Sequence, residues 1–440
     1  MNNKERLELA RWVAGECKKA GADDASVNIS FERAVSVEHR DKKIDNLSEA
    51  TQNSLALSLF LGGRFSNHTT SDLRKDTLGG FIQQAVAMTK FLSPDLDRTM
   101  TDAKYCQGLQ QRDLKLTDSL YDQVKPEERV RLAKECEDAV RSKSDKIVSC
   151  MGSYSDTYTE SVLVLTNGFE GQKSSTSFDV SAEVTLQGAD GVRVDDYDYG
   201  GGCFRRDLPS PEAIGSSAVT RAQAKIGQTK MESGVYDMIV ENRAASKLIG
   251  ATLGCISGQA IYRKNSFLID KLGQAIACDK LTIIDDPFIE SGSGSRLYDS
   301  DGMPTQRRVV LEKGVLRTYF IDWFYSRKLK TEPTTGNNTN LIYEYGDKSL
   351  DGLVKQAKKA ILITSFVGGN FNATTGEFSY GVTGQYVENG KIVQPINEMN
   401  VGGSYASLWN QLAELGNDPF MNSSNRRPSL YFKDLQFAGK

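Results

Sequence analysis

Two histidines, His39 and His68, are the only imidazoles available to act as a base or to hold a metal. Both fall in strand-like sequence near the N-terminus, and no usual spacing of His, Cys or carboxylate ligands surrounds either. They read as ordinary structural or surface residues. A Ser-His-Asp triad or a Cys-His dyad would have to recruit one of them from a distant module, and no serine lies in a GxSxG turn. Cys255 has no His or Lys on its own helix face to turn it into a thiolate, so it reads as a packing residue. Asp285 and Asp286 end the strand KLTIID just before Pro287. As a close pair they could bind a cation or move a proton, although strand-end capping is the simpler role. The acidic turn YDSDG (298–302) hints at calcium, but its glycine comes too early for an EF-hand loop. GQYVENGKI (384–392) has the wrong glycine spacing for a phosphate loop and ends in Ile392 where Ser or Thr is needed. SGSGSR (291–296) does not lead from a strand into a helix and reads as a mobile loop. No complete catalytic constellation emerges.

The elements that would position such groups are readable. LIGATLGCISG (248–258) belongs to a helix, because Ala244, Ala245, Leu248, Ile249, Leu253 and Ile256 recur on one face, with Asn242 placed to cap its start. Gly250, Gly254 and Gly258 should each cost such a helix about 1 kcal/mol relative to alanine, so something must require the missing side chains.

The 440-residue chain is long enough for two or three domains, which are expected at 1–110, 111–230 and 231–440. The fold class expected is α+β, with two N-terminal α/β modules built on antiparallel sheets and a larger β-rich C-terminal domain. In the first module an amphipathic N-terminal helix precedes strands at 26–31, 34–39 and 53–60 and a helix near Phe81–Met88. After a polar linker over 93–124, the helix at 127–142 opens the second module, with Pro126 in its first turn. Strands follow near 146–154, 159–166 and 175–187, then VDDYDYGGG (194–202), read as an exposed turn, and a helix over 211–226. Hairpins in the last module turn at Lys313-Gly314 and Asn389-Gly390. A net charge of −3 gives no broad basic face, which argues against direct nucleic-acid binding. No apolar stretch is long enough to span a membrane. Seven widely spaced cysteines without a CxxC point to reduced thiols and a cytoplasmic location.

Several longer stretches, in order, carry a family likeness. SGQAIYRKNSFLIDKLGQ (257–274), LTIIDDP (281–287), YDSDGMPTQRRVVLEKGVLRTYFID (298–322) and FSYGVTGQYVENGKIVQPINEMNVGG (378–403) resemble the PmbA/TldD family, proposed modulators of DNA gyrase that include the TldD/TldE metalloprotease. KKIDNLSEATQNSLALSLFLGGRFSNHTTSDL (42–73) and PSLYFKDLQFAGK (428–440) extend the resemblance over essentially the whole chain. In that family the TldD-type subunit carries HExxxH on a helix after a strand equivalent to YDMIV (236–240), and a further Cys ligand near the C-terminus. Here the same six places read GATLGC: Gly250 and Cys255 stand for the two histidines and Ala251 for the glutamate. PFMNSSNRRP (419–428) holds no cysteine.

The resemblance therefore implies a TldE/PmbA-type subunit with no catalytic residues and no cofactor of its own, zinc being expected in a TldD-type partner. Together they would form a heterodimer cleaving unfolded or short peptides, with implied roles in microcin maturation and antitoxin degradation; a homodimer is the implied alternative for the chain alone. The glycines then have two readings: close approach of another backbone, or room for substrate in a shared chamber. Candidate chamber or interface positions are Gly254, Gly258, Gly381, Thr383, Gly384 and Asn389, with strand 378–390 as an edge to which substrate could add. Two other classes remain open: a non-proteolytic binding protein acting on gyrase-toxin systems, and a self-sufficient homodimeric hydrolase using Cys255 or the Asp285/Asp286 pair.

Overall fold

A computed structural model describes residues 1–189 and 191–440. The chain is an α+β, multidomain protein, and its N-terminal half uses one order of elements twice. Helix α1 (Asn3–Lys19), strands β1 (Asp24–Arg40), β2 (Lys43–Leu61) and β3 (Arg64–Thr70), and helix α2 (Lys75–Thr89) come first. Helix α3 (Pro126–Arg141), strands β4 (Ile147–Leu165), β5 (Glu170–Gln187) and β6 (Arg193–Gly202), and helix α4 (Pro211–Gln223) repeat the order. The two sets do not form separate sheets. β1 pairs antiparallel with β4 from Ser26↔Leu165 to Arg40↔Met151, giving one six-stranded sheet in the order β3-β2-β1-β4-β5-β6.

Alternation explains why. Ala25, Val27, Ile29, Val35 and Val37 point to one buried face of β1, and the four helices cover that face. Under α1 and α2 the core holds Leu55, Leu57 and Leu59; under α3 and α4 it holds Tyr154, Phe178 and Val180. The two runs expected at 26–31 and 34–39 are a single strand, as are those at 146–154 and 159–166, because no breaker residue interrupts either alternation. VDDYDYGGG is β6, an edge strand, and not an exposed turn. Its alternating residues Val194 and Asp196 are buried while Arg193 and Asp195 are exposed.

The C-terminal part is β-rich. Its elements are β7 (Gly234–Val240), α5 (Ser246–Cys255), α6 (Gly258–Tyr262), β8 (Ile283–Asp286), β9 (Arg308–Glu312), β10 (Val315–Leu316), α7 (Trp323–Leu329) and β11 (Asn340–Tyr343). They continue with α8 (Leu350–Gln356), β12 (Lys359–Phe371), β13 (Glu377–Glu388), β14 (Lys391–Ser404), α9 (Tyr405–Leu408), β15 (Leu412–Leu415) and β16 (Leu430–Ala438). Strands β14-β13-β12-β7-β16 close into a barrel through the pairs Asn400↔Ala438 and Val401↔Phe437, with β15 on the outer side of β16. A four-stranded sheet, β10-β9-β8-β11, stands beside it. Both expected hairpins form: Lys313-Gly314 joins β9 to β10, and Asn389-Gly390 joins β13 to β14, all four residues having positive φ. The barrel part meets the other face of the large sheet where Leu163, Leu165 and Phe169 pack against Tyr298. Among the described residues, no helix is long and apolar enough to cross a membrane.

Candidate functional site

Helix α5 follows barrel strand β7 and turns one face inward. Leu248, Ile249, Thr252 and Cys255 are buried, and Thr252 Oγ1 accepts a hydrogen bond of 2.9 Å from the buried Trp409 indole. The opposite side carries Ser246, Lys247, Gly250 and Gly254, all exposed, with Ala251 between the two faces. A Cβ built on Gly250 or Gly254 would meet nothing within 4 Å, so within this chain the close-approach reading fails at both. It holds at Gly258, which lies beyond the helix at the start of α6; a Cβ there would stand 2.8 Å from the Cβ of Tyr325.

The approach to α5 is clamped from three sides. The Glu241 carboxylate is bridged by Arg221 at 2.6 and 3.1 Å. Asn242 does not cap the helix: its amide donates to the carbonyl of Asp418 and its N–H to Ser429 Oγ. The Arg243 guanidinium pairs with Asp198 at 2.6 Å and lies 5.0 and 5.2 Å from the ring centres of Tyr197 and Tyr199. From the loop that lacks a cysteine, the buried Arg427 donates instead to the carbonyl of Arg243 and stacks on Phe420. Sequence reading missed this anchoring. Its one legible signal was the Asp/Tyr alternation of VDDYDYGGG, which has the period of a strand.

The donors at the three motif positions do not fit a zinc ion. Gly250 and Ala251 offer none, and Cys255 is only 1% exposed, its thiol pushed up to about 11 by burial. Its Sγ sits 3.9 Å from the carbonyl of Ala373. Among the described residues, no three His, Cys, Asp or Glu side chains are grouped so as to hold a metal. The other candidates are also engaged. Buried Asp285 accepts from Arg308 Nε at 2.9 Å and from the N–H of Thr339 at 2.6 Å, while Asp286 receives the N–H of Phe288 at 2.9 Å. His39 lies 2.5 Å from Glu137 in the core of the large sheet, and His68 reaches Ser66 Oγ at 2.9 Å.

Strand β13 is not an edge. It pairs with β12 on one side and β14 on the other, so no substrate strand can add to it. Gly381 and Gly384 flank the bulge at Thr383, and Cβ atoms there would stand 2.3 and 1.9 Å from the carbonyls of Val367 and Leu362. These two glycines admit the neighbouring strand. Asn389 sits exposed at the hairpin tip, away from this bulge in the strand register. Helix α5 reaches β13 through Lys247, whose Nζ lies 5.0 Å from the Tyr380 ring.

A wide cleft lies elsewhere, between the large sheet and the C-terminal part, with a volume of about 1360 Å³. β5 forms its floor from Gln172 to Ser177, the segment 112–117 one wall, and the loops at 290–298 and 421–426 its roof. SGSGSR belongs to that roof and is pinned, not mobile. Gly294 N–H donates to Asn340 Oδ1, Asn340 Nδ2 donates to Ser295 Oγ, and Arg296 Nη2 donates to the carbonyls of Asn337 and Asn338.

Residues 120–226 match the model of the PmbA/TldA metallopeptidase central domain, and residues 233–439 that of its C-terminal domain. A crystal structure of a proposed modulator of DNA gyrase from Bacteroides thetaiotaomicron is 38% identical, with a TM-score of 0.97 and full coverage of both chains. The chain belongs to the PmbA/TldD family. The metalloprotease PmbA of Escherichia coli is 28% identical over 437 residues, 99% of this chain and 96% of that one. The structure of TldE from Thermococcus kodakarensis shares the fold, at 18% identity and a TM-score of 0.87 over 98% of this chain and all of that one. Family members are thus named as metalloproteases, while α5 of this member carries none of the zinc-binding side chains that HExxxH would supply.

Proposed function

We propose that this chain is the TldE-type subunit of a cytoplasmic TldD/TldE-type zinc peptidase acting on unfolded or short peptides, and that it carries no catalytic metal itself. The observation that carries the reading is α5: a helix held firmly in place whose outward face has Gly250 and Gly254 with Ala251 at its border, and whose one motif thiol is buried. Fold likeness to a TldE structure supports it, as does 26% identity over 216 residues to a metalloprotease TldD homolog of Buchnera aphidicola. Two chains descended from one ancestor can pair, with one keeping the chemistry and the other the shape.

In such a pair the partner's zinc would supply an activated water and an electrophile for the peptide carbonyl. This chain's residues do something else. The flat face of α5 leaves space for substrate or for the partner's helix, while the clamps on Glu241, Asn242 and Arg243 hold that face rigid. Seven unpaired thiols are consistent with a reducing compartment. The self-sufficient hydrolase has lost its residues, since Cys255 is buried and Asp285 is tied to Arg308 and Thr339.

The deciding assay uses an unstructured casein-derived peptide pool with each chain alone and with both mixed. Cleavage is expected only in the mixture, and is expected to disappear when the partner's HExxxH glutamate is replaced. Turnover by this chain alone, or by the partner alone at the rate of the mixture, would overturn the proposal.

A further inference from the structure

The cavity between the large sheet and the C-terminal part has a charge that reverses that of the whole chain. Acidic residues outnumber basic ones overall, 57 to 54, yet six basic side chains line the cleft against four acidic ones. The six are Arg112, Lys115, Lys173, Arg206, Arg296 and Arg426. Lys115 is neutralised by Glu290 at 2.6 Å, and Arg206 has a loose contact with Asp207 at 3.9 Å. Among the described residues the remaining four make no ion pair and the Lys173 ammonium no hydrogen bond, although Asp285 and Asp299 lie near enough to Arg296 to attract its charge. Arg296 spends its Nη2 on two backbone carbonyls, which do not cancel its charge.

We propose that this cleft binds the carboxylates of an extended acidic peptide, with Lys173, Arg296 and Arg426 as the contacting cations. The choice of a peptide rests on the peptidase-subunit reading; the anion preference rests on the cleft alone. Burial holds Lys173 below its usual value and the nearby Arg296 charge lowers it further; burial lowers Arg296 as well. A ligand carboxylate between them would relieve that repulsion and bring charge-assisted hydrogen bonds. Opposing them is the carboxylate of Asp179, which the three cations together outweigh.

Size and walls narrow the ligand. At about 1360 Å³ the cleft exceeds the roughly 300–1,000 Å³ of small-molecule pockets and suits a chain of several residues. Its floor, β5, is paired on both sides with β4 and β6, so an entering chain cannot add as a strand. Recognition must come through side chains, and Ser174, Ser175, Ser177 and Ser293 supply hydroxyls between the cations. A nucleic acid would need the positive charge spread over an outer face, and the rest of this acidic protein repels a long polyanion.

Fluorescence anisotropy on the full-length chain alone tests this. The probes are a labelled ten-residue Glu/Ser peptide, its Lys/Ser counterpart, and an oligothymidine of ten nucleotides, with inorganic phosphate as competitor. Only the Glu/Ser peptide is expected to bind. Lys173→Glu and Arg426→Glu are each expected to weaken binding at least tenfold with unchanged melting curves, and the exposed control Lys358→Glu to leave it unaltered. Binding of the Lys/Ser peptide or the oligothymidine as tightly as the Glu/Ser peptide would overturn the proposal. So would wild-type affinity in both cleft variants, or displacement by millimolar phosphate as complete as by unlabelled peptide. No partner is present, so failure of partner-dependent cleavage and failure of this binding are read separately.

Discussion

Replacing Gly250 and Gly254 by alanine separates the two readings of the α5 glycines. Both are exposed, have helical backbone and would place a Cβ in open space. The loss of helix-destabilising glycine should then show undiminished, stabilising the isolated chain by about 0.5–1 kcal/mol per site. For a unit the size of the C-terminal part, that corresponds to a melting temperature higher by about 2–4 °C per kcal/mol. Gly258→Ala is the internal contrast. Its Cβ would stand 2.8 Å from Tyr325 Cβ and 3.4 Å from Ile321 Cα, so overpacking should cost roughly 1–3 kcal/mol. Urea titrations of the three variants, with m-values compared, read the difference directly. Destabilisation at Gly250 or Gly254 as large as at Gly258 would mean a neighbour already covers α5 in the isolated chain, and the open-face argument would be wrong. In the complex the sign should reverse: Gly254→Leu should leave the isolated fold intact but abolish cleavage by the mixed subunits.

Elemental analysis of tag-free chain should find no stoichiometric zinc, and Cys255→Ser should change nothing in that measurement. Iodoacetamide on native protein should label Cys106 and Cys278, the two partly exposed thiols, and reach Cys255 only after unfolding. Asp156 accepts from Arg129, Tyr121 and Tyr154 in the core of the large sheet, at 2.6–3.2 Å. Asp156→Ala strands the buried Arg129 and should cost roughly 3–5 kcal/mol in urea unfolding. For Glu137 burial works against the charge, but hydrogen bonds from His39, Arg141 and the Lys42 N–H outweigh it and hold the carboxyl below its usual 4.5. Its stabilising contribution is therefore complete above that value and is lost as pH falls through the lower folded value. The stability gap between wild type and Glu137→Gln should narrow on acidification below about 4.5, and a gap that widened there would refute the assignment.

The α+β class, the closing hairpins and most helices were legible because they rest on local rules. Pro126 starts α3, and Asn389-Gly390 supplies the two positive φ values its turn needs. Strand pairing was less legible, because nothing in the alternation of β1 says whether its free edge meets β3 or β4. The α5 face was readable as three missing chemical groups, but its surroundings depended on contacts far apart in sequence. Asn242 looks like a helix cap and instead ties β7 to the loop at 418–429. SGSGSR has the composition of a mobile loop, yet one residue, Asn340, pins it through two hydrogen bonds. The cleft was invisible for the same reason: its cations come from five separate segments, and each alone reads as solvated surface.

The central pairing of β1 with β4 sets a timetable for synthesis. β1 is complete at Arg40, but the strand that covers its second edge begins only at Ile147. At roughly 5–20 residues per second, the ribosome needs on the order of 5–20 s to deliver it. During that interval α1, β1, β2, β3 and α2 can already fold together, yet every second residue of the seventeen-residue β1 leaves its N–H and C=O groups unpaired along the open edge. A nascent chain so exposed invites pairing with a second copy on the same polysome, or capture by a chaperone. Slow translation through the polar stretch at 93–124 would lengthen that exposure.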